Sequence, residues 1–440
     1  MTAPTQEFTA KNLGWMRRHR RQFGLSADEG KVPRTRADWE VFLAELERNL
    51  SDEKFSFDRV KVAKVKKGRK FRQIASTKSL NEVLVLRRIN ENIRRAYGIK
   101  NPNRSALVST IRQAIQESTQ KSILRVDIKS CFESIPKSVM LRRLVADGVV
   151  SFQTVSLLSR LFLTLEAQAG YESRKGLPRG LAISSTLAEI YLSDLEREIR
   201  SLPGVYLVAR YVDDIVVISS EIRSDLFAKV RSVVRTSRLK LNVSKTNHIT
   251  VACDCSAGCN HGVFCPCIKR CECKLETCFM EYLGYSFQFN SRNAISGANV
   301  VKVLLSNQKI KKIKSRIFIS SRAYAKTGNF ELYLKRLNYI VGNLQLISES
   351  GNRGLSTGLA YTHSEYSLAR EQDASEGGSL TSLNDFLHGS IRFSLKLRPQ
   401  PPSLAKQAFK YDFLCGYFSR RRVKLSRDEI GIITECWRNV

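Results

Sequence analysis

The stretch "VARYVDDIVVISSE", residues 208–221, sets two adjacent aspartates, Asp213 and Asp214, inside an otherwise apolar run. Val208, Ile215, Val216, Val217 and Ile218 are β-branched and favour a pleated, half-buried strand, whereas aspartate is depleted there. Neighbouring like charges also repel. A hairpin turn between two strands accounts for the doublet; so does a pair of carboxylates held for a cation. Asp127 closes another apolar run, "ILRVDI" (123–128), and reads either as a helix cap or as a third such carboxylate. Converging carboxylates need a positive counter-charge, and a set of oxygen ligands suits Mg2+ or Mn2+. Two such ions about 4 Å apart clamp the attacking and leaving oxygens of a phosphoryl displacement, which is the chemistry of nucleotidyl transfer.

The rest of the composition points to a polyanionic partner. The 440 residues carry 73 Lys and Arg against 41 Asp and Glu, a net charge of +32. A generally basic soluble protein would satisfy that number, but uniform self-repulsion works against a compact state. The cations are also clustered. Residues 61–72, "KVAKVKKGRKFR", hold seven Lys or Arg and no acid, and residues 302–336 hold ten against the single acid Glu331. Such clusters are the electrostatic footprint of nucleic-acid binding. No run approaches the roughly 18 apolar residues of a membrane span. The N-terminal "MTAPTQEFTAKNLGWMRRHRRQF" has no apolar signal core, so a cytoplasmic protein without a membrane partner is expected.

Eight of the eleven cysteines fall in one block: Cys253, Cys255, Cys259, Cys265, Cys267, Cys271, Cys273 and Cys278. With no secretory signal, they read as metal ligands rather than disulfides. Eight thiolates match two tetrahedral zinc sites of four cysteines each. The tight C-x-C pairs also admit a bridged zinc–thiolate cluster, an iron–sulfur site uses the same donors, and free thiols are a further reading. The block's place between neighbouring strand candidates favours a structural zinc knob, with Lys269 and Arg270 available to RNA.

Periodicity organises the chain as follows. Residues 1–60 read as a basic helical extension, with the amphipathic "ADWEVFLAELERNL". Two strands joined at Gly68 and the helix "TKSLNEVLVLRRINENIRRAYG" fill 61–125. Strands and amphipathic helices alternate from 126 to 299, around the cysteine insertion at 253–278. Basic helices occupy 300–345. Polar, Gly/Ser-rich residues 348–382 read as loop or linker, and an apolar-basic tail follows. In that tail, "IRFSLKLRPQPPSLAKQAFKYDFLCGYFSRRRVKL" interleaves aromatics with cations. It reads equally as stacking platforms for RNA or as helical core with a basic face.

Seven segments in order resemble the reverse transcriptases. "GRKFRQI" (68–74) resembles the fingers segment, "VDIKSCFESI" (126–135) motif A, and "GLPRGLAISSTLAEIYLSDLE" (176–196) motif B. "YVDD" (211–214) resembles motif C, "LKLNVSKTNHI" (239–249) motif D, and "EYLGYSF" (281–287) the primer grip. The basic helices at 300–345 lie where the thumb belongs. The resemblance implies an α+β right-hand polymerase: fingers at 61–125, a palm with an antiparallel sheet at 126–299, and a helical thumb at 300–345. The zinc-type insertion and a helical C-terminal extension at 346–440 are added to it.

Roles carried over by the resemblance are expectations about particular residues. Asp127, Asp213 and Asp214, with the carbonyl of Ile128, would hold two Mg2+. Arg72, with Lys70 behind it, would neutralise the triphosphate, since guanidinium matches phosphate geometry. Phe132 would exclude a 2′-hydroxyl, which argues for dNTPs. Pro178, Arg179, Gly180 and Tyr211 would shape the nucleotide site. Lys245 would protonate the leaving pyrophosphate, although a solvated surface lysine fits the sequence too. Tyr282, Leu283 and Gly284 would hold the primer end. Motif B departs from most reverse transcriptases, which carry glutamine where this chain has Arg179. The "PRGLxIS…LAEIYL" form resembles bacterial Abi, unknown-group and defence-associated enzymes. That resemblance implies RNA-directed DNA synthesis on a non-coding RNA template in antiphage defence, with the DNA product as a further partner. Template-independent or protein-primed synthesis by the same site, and a catalytically silent nucleic-acid-binding scaffold, stay open. A homo-oligomer or a partner protein stays open as well.

Overall fold

The computed structural model describes residues 5–17, 33–67, 70–100, 102–117, 119–168, 170–171, 176–221, 224–251, 277–290, 300–346, 356–420 and 422–437. The chain forms two compact units. One comprises Met1–Pro102, Val126–Val217 and Ser224–Thr246; the other comprises Asn103–Arg125, Ile218–Arg223 and Asn247–Val440.

The strands explain the apolar runs. β1 (Lys61–Lys67) and β2 (Lys70–Ser76) form an antiparallel hairpin in which Val65 faces Arg72. β3 (Lys121–Asp127), β4 (Val205–Tyr211), β5 (Asp214–Ser219) and β6 (Asn247–Val251) make a four-stranded sheet in the order β4-β5-β3-β6. β3 and β6 pair antiparallel with Leu124 opposite His248. β3 and β5 are buried almost throughout, which is why they read as continuous apolar runs rather than as alternating strands. A three-stranded antiparallel meander follows: β7 (Thr277–Tyr282), β8 (Tyr285–Asn290) and β9 (Lys302–Leu305). β10 (Asn343–Leu346) pairs antiparallel with β11 (Ser356–Thr357) and parallel with β12 (Arg422–Leu425). The mixed helix-and-sheet fold was expected; the parallel pair was not.

In the first unit the helix Leu80–Ala96 packs on the helix Ala182–Arg200. Each buries an i, i+3/i+4 stripe, Leu84, Val85, Ile89 and Ile93 on one and Ile183, Leu187 and Ile190 on the other. The N-terminal helices Ala10–Arg17 and Arg36–Ser51 belong to the same body, with Phe8, Leu13 and Met16 buried. Polar anchors hold them: Arg87 Nη1 donates to the Met16 carbonyl at 3.0 Å and Arg88 Nε to the Glu7 carbonyl at 3.1 Å.

The second unit corrects the reading of residues 348–382 as loop or linker. From 356 onward they hold β11, the short helices Leu359–Thr362 and Arg370–Ser375, and the start of the helix Ser379–Leu397. Leu359, Tyr366, Leu368, Leu380, Leu383, Leu387 and Ile391 share one core with Ile313, Ile317, Tyr324, Tyr333 and Leu337 of the basic helices Asn307–Thr327 and Phe330–Val341. Asp373 explains how so polar a segment folds. Its carboxylate is fully buried and accepts from the Thr381 amide at 2.7 Å, from Thr381 Oγ1 at 2.6 Å and from the Tyr366 hydroxyl. The glycine turn at 377–378 is thereby tied from inside to the start of the next helix. The aromatic-basic tail divides. Phe413 is fully buried and Tyr417 donates to the His363 carbonyl at 2.8 Å, whereas Phe393 stays 59% exposed.

Candidate active site

Every step of the site in the first unit starts from where a strand stops. β3 ends at Asp127, and the next residue, Ile128, makes only an isolated antiparallel bridge to Leu241. Ser130, at φ 49°, turns the chain into the single helical turn Cys131–Ser134 and brings out Phe132 half-buried. β4 and β5 are joined by the two residues Val212 and Asp213 alone, a connection only antiparallel neighbours allow. The doublet is therefore a turn as well as a carboxylate pair. Val212 sits at φ 58°, a left-handed conformation that costs a β-branched residue about 1–2 kcal/mol. Strain of this kind gathers where geometry is used rather than where it is convenient.

Main-chain hydrogen bonds fix the two strand ends together. The Ile128 amide donates to the Asp213 carbonyl at 2.9 Å, and the Asn242 amide to the Asp127 carbonyl at 2.7 Å. The Lys129 amide donates to the Lys240 carbonyl at 2.8 Å. Asp127 and Asp213 are thus one backbone hydrogen bond apart. The Asp127 side chain is nearly buried and accepts from Lys245 Nζ at 2.8 Å and, more weakly, from Asn242 Nδ2 at 3.4 Å. Burial, and then the charges of Asp127 and Asp214, push the Asp213 carboxyl above its ordinary range. Among the described residues no group of three or more His, Cys, Asp or Glu side chains is closed around a metal position. In the chain alone Lys245 carries the counter-charge on Asp127. The donor set nevertheless fits a hard cation: oxygen ligands only, from residues locked by main chain, with one carboxyl held protonation-prone by its neighbours.

The loop after this centre is zipped onto the Phe132 turn. The Leu177 amide donates to the Phe132 carbonyl at 2.8 Å, and Pro136 and Gly176 form a bridge. A Cβ on Gly176 would stand 2.2 Å from the Glu133 carbonyl oxygen, so only glycine fits. Gly180, at φ 99°, lies against β2; a Cβ there would meet the Ala75 carbonyl oxygen at 2.4 Å. Its glycine serves this approach to β2, which carries the exposed Arg72. Ser184 Oγ donates to the Pro178 carbonyl and closes the loop onto the helix Ala182–Arg200. Arg179 grips Glu133 with both Nε and Nη2, the latter at 2.9 Å, and its guanidinium lies 5.4 Å from the Phe132 ring centre. Burial raises the Glu133 carboxyl, but the Arg179 hydrogen bond, a main-chain hydrogen bond and the charges of Arg179 and Arg72 together outweigh it and leave it below the ordinary range.

Of the expected site residues, Asp127, Ile128, Phe132, Pro178, Arg179, Gly180, Asp213, Asp214 and Lys245 are tied into this lattice or lie at its ends. Tyr211, half-buried, ends β4. Lys70 lies on β2. Seven of the eight block cysteines lie outside the described residues; Cys278 is on β7, partly buried. Asn242 and Glu133 were missed, because a lone asparagine or glutamate has no periodic signal.

The second unit holds Tyr282, Leu283 and Gly284. The Tyr282 ring is fully buried, so the turn itself is what is presented, with Leu283 at φ 49° and Gly284 at φ 77°. Arg104 Nη1 donates to the Thr362 carbonyl at 2.6 Å and Nη2 to the Leu283 carbonyl, and the guanidinium lies 5.3 Å from the Tyr285 ring centre. His363 stands 3.2 Å from where a Gly284 Cβ would be. Burial, then the Lys309 and Arg104 charges, push His363 down to about 3. Gly284→Ala is expected to cost about 1–2 kcal/mol. Gly389→Ala, in a helix with open space around it, is expected to gain about 0.5–1 kcal/mol. Denaturant unfolding of the two variants checks the opposite signs.

Comparison with known proteins agrees with this geometry. A family profile described as "Reverse transcriptase (RNA-dependent DNA polymerase)" matches residues 64–287. Among curated proteins nothing matches. Solved structures that resemble the chain include apo telomerase from Candida tropicalis lacking its C-terminal domain, at 12% identity and TM-score 0.34. There 57% of this chain covers 59% of that one. Telomerase from Candida albicans with a fragment of telomeric RNA gives 10% and 0.37, over 91% of this chain and 68% of that one. The corresponding Candida tropicalis complex gives 12% and 0.39, over 91% and 68%. These scores are too low to carry an argument. The matched segment runs from the β1–β2 hairpin through both carboxylate strands to β8, half of the chain, and the chain belongs to the reverse transcriptase family.

Proposed function

We propose that the chain is an RNA-directed DNA polymerase that extends a primer with dNTPs. The observation that carries the proposal is the main-chain lock between Ile128 and Asp213, which ties together the two strand ends that carry Asp127 and Asp213. Asp127, Asp213, Asp214 and the Ile128 carbonyl would hold Mg2+ or Mn2+. The ions supply charge neutralisation of the attacking and departing oxygens. Arg72, exposed on β2, binds the triphosphate. Phe132 bars a ribose 2′-hydroxyl. Lys245 Nζ, held on Asp127 Oδ1, is the proton donor for the departing pyrophosphate. The Leu283–Gly284 turn, pinned by Arg104, supports the primer end.

The "PRGL" form of motif B supports an Abi-type, unknown-group or defence-associated role, with a dedicated non-coding RNA as template. The net charge of +32 supports a nucleic-acid partner, and the cysteine block supports structural zinc. No helix among the described residues is long and apolar enough to cross a membrane. Purified protein with its co-purified RNA, given labelled dNTPs and Mg2+, is expected to build DNA whose sequence complements that RNA. Synthesis that survives RNase treatment would refute the RNA-directed reading and leave a template-independent one. Metal analysis of the purified chain tests the zinc, with about two ions expected.

A further inference from the structure

The Arg179 side chain is where this chain departs from its relatives, and its surroundings say what it does. Its fork is occupied: Nε and Nη2 both donate to Glu133, so neither is offered to a template base. Its main chain is occupied too, since the Ala75 amide donates to the Arg179 carbonyl at 2.7 Å. What remains is Nη1 and the guanidinium carbon's approach to the ring: Cζ lies 5.4 Å from the centre of the Phe132 ring. That distance is within the range of attraction between a cation and an aromatic face. Glu133 is the next residue to Phe132 on the same helical turn. The turn is therefore held from three sides: by the Leu177 amide on the Phe132 carbonyl, by Arg179 on Glu133, and by the same guanidinium on the ring. The charge of Arg72 also favours the ionised form of Glu133, so the carboxylate is kept in the state that grips Arg179.

We infer that Arg179, clamped by Glu133, is a positioning residue that fixes the Phe132 ring and so sets discrimination between deoxyribose and ribose. The inference rests on the polymerase reading above. A half-buried phenyl ring on a one-turn helix has room to swing. A ring free to swing yields to a 2′-hydroxyl, and one backed by a bidentate cation does not. Arg179 does not touch the sugar and acts only through the ring.

The test is the ratio of kcat/KM for a dNTP to that for the matching rNTP, in the full chain with its RNA and Mg2+. Partial misfolding cancels in that ratio, since both substrates report on the same active molecules. Arg179→Ala is expected to lower the preference for dNTP about tenfold. Glu133→Gln should shift it the same way, by releasing the fork. Arg179→Lys should fall between, since it keeps the cation but loses the fork. In a Phe132→Ala background, Arg179→Ala should change the ratio no further, which is the signature of two residues acting as one. An unchanged ratio in Arg179→Ala, or an equal change with and without Phe132, would overturn the inference and assign Arg179 to template or nucleotide. A wild-type chain that incorporates neither nucleotide removes the polymerase reading, and this inference with it.

Discussion

Asp213→Asn is expected to cut dNTP incorporation by about a thousandfold or more, the equivalent of roughly 4 kcal/mol of transition-state stabilisation. The same variant is expected to unfold no more easily than the wild type, and at neutral pH less easily. The two outcomes share one cause. Burial and the charges of Asp127 and Asp214 raise the Asp213 carboxyl, so the folded chain holds a proton that the unfolded chain has already lost. Stability from this group therefore falls as pH rises from the ordinary carboxylate value of about 3.9 through the raised folded value. The whole penalty is in force once the pH has passed that raised folded value. Asparagine keeps the shape and removes both the penalty and that part of the pH slope. Mg2+ should do for the wild type what the mutation does. It is expected to raise the midpoint of thermal unfolding by a few degrees, about what ligand at tens of times its Kd provides, and to do so less in the variant. Unfolding curves at pH 4–8 with and without Mg2+, beside an incorporation assay, measure all of this. A variant that still polymerises at a tenth of the wild-type rate would sink the assignment of Asp213.

Arg210→Ala carries the largest expected loss of stability. Arg210 is three residues before Asp213, on β4, and only 7% exposed. Its Nη1 and Nη2 donate to Glu189 at 3.0 and 2.6 Å, and its Nε to Glu196 at 3.0 Å. Burial works against the charge, but the hydrogen bonds and charges of the two glutamates outweigh it and hold the guanidinium protonated. Removing the cation leaves Glu189 half-buried without it, while Glu196 keeps Arg200 Nη2 at 2.9 Å, and breaking a buried pair in this way costs about 3 kcal/mol. The consequence reaches the site because β4 ends in the strained Val212–Asp213 turn. A shift of about 1 Å in a catalytic group costs on the order of a hundredfold in rate. Replacing all three residues together, Arg210→Met with Glu189→Gln and Glu196→Gln, should recover most of the stability, since the only charge left without its partner is the exposed Arg200. Chemical denaturation of the single and triple variants decides between this account and one in which Arg210 only packs.

The legible parts of the fold were those with a local cause. β3 and β5 are buried on both faces, so their apolar runs survive without context. The helix Ala182–Arg200 shows its stripe of buried residues in the sequence spacing. Residues 356–382 were not legible, because their order comes from scattered apolar residues packed on distant helices and from one buried carboxylate, Asp373, that bonds Tyr366 and Thr381. Composition sees only Ser, Gly and charge there. Arg179 was legible as an oddity but not as a contact. Nothing in "GLPRGL" points to Glu133, which lies 46 positions earlier.

The sequence by itself determined the family and named the candidate residues. Seven ordered segments, with Asp127, Asp213 and Asp214 at the ends of apolar runs, suffice because strand ends and turns are local consequences of residue type. Only the tertiary structure decided how those residues are held. The Ile128–Asp213 hydrogen bond, the Lys245 counter-charge on Asp127 and the Arg179–Glu133 grip behind Phe132 all join residues from separate segments. Charges and donors have no period in a sequence; they acquire partners only once the chain has closed around them.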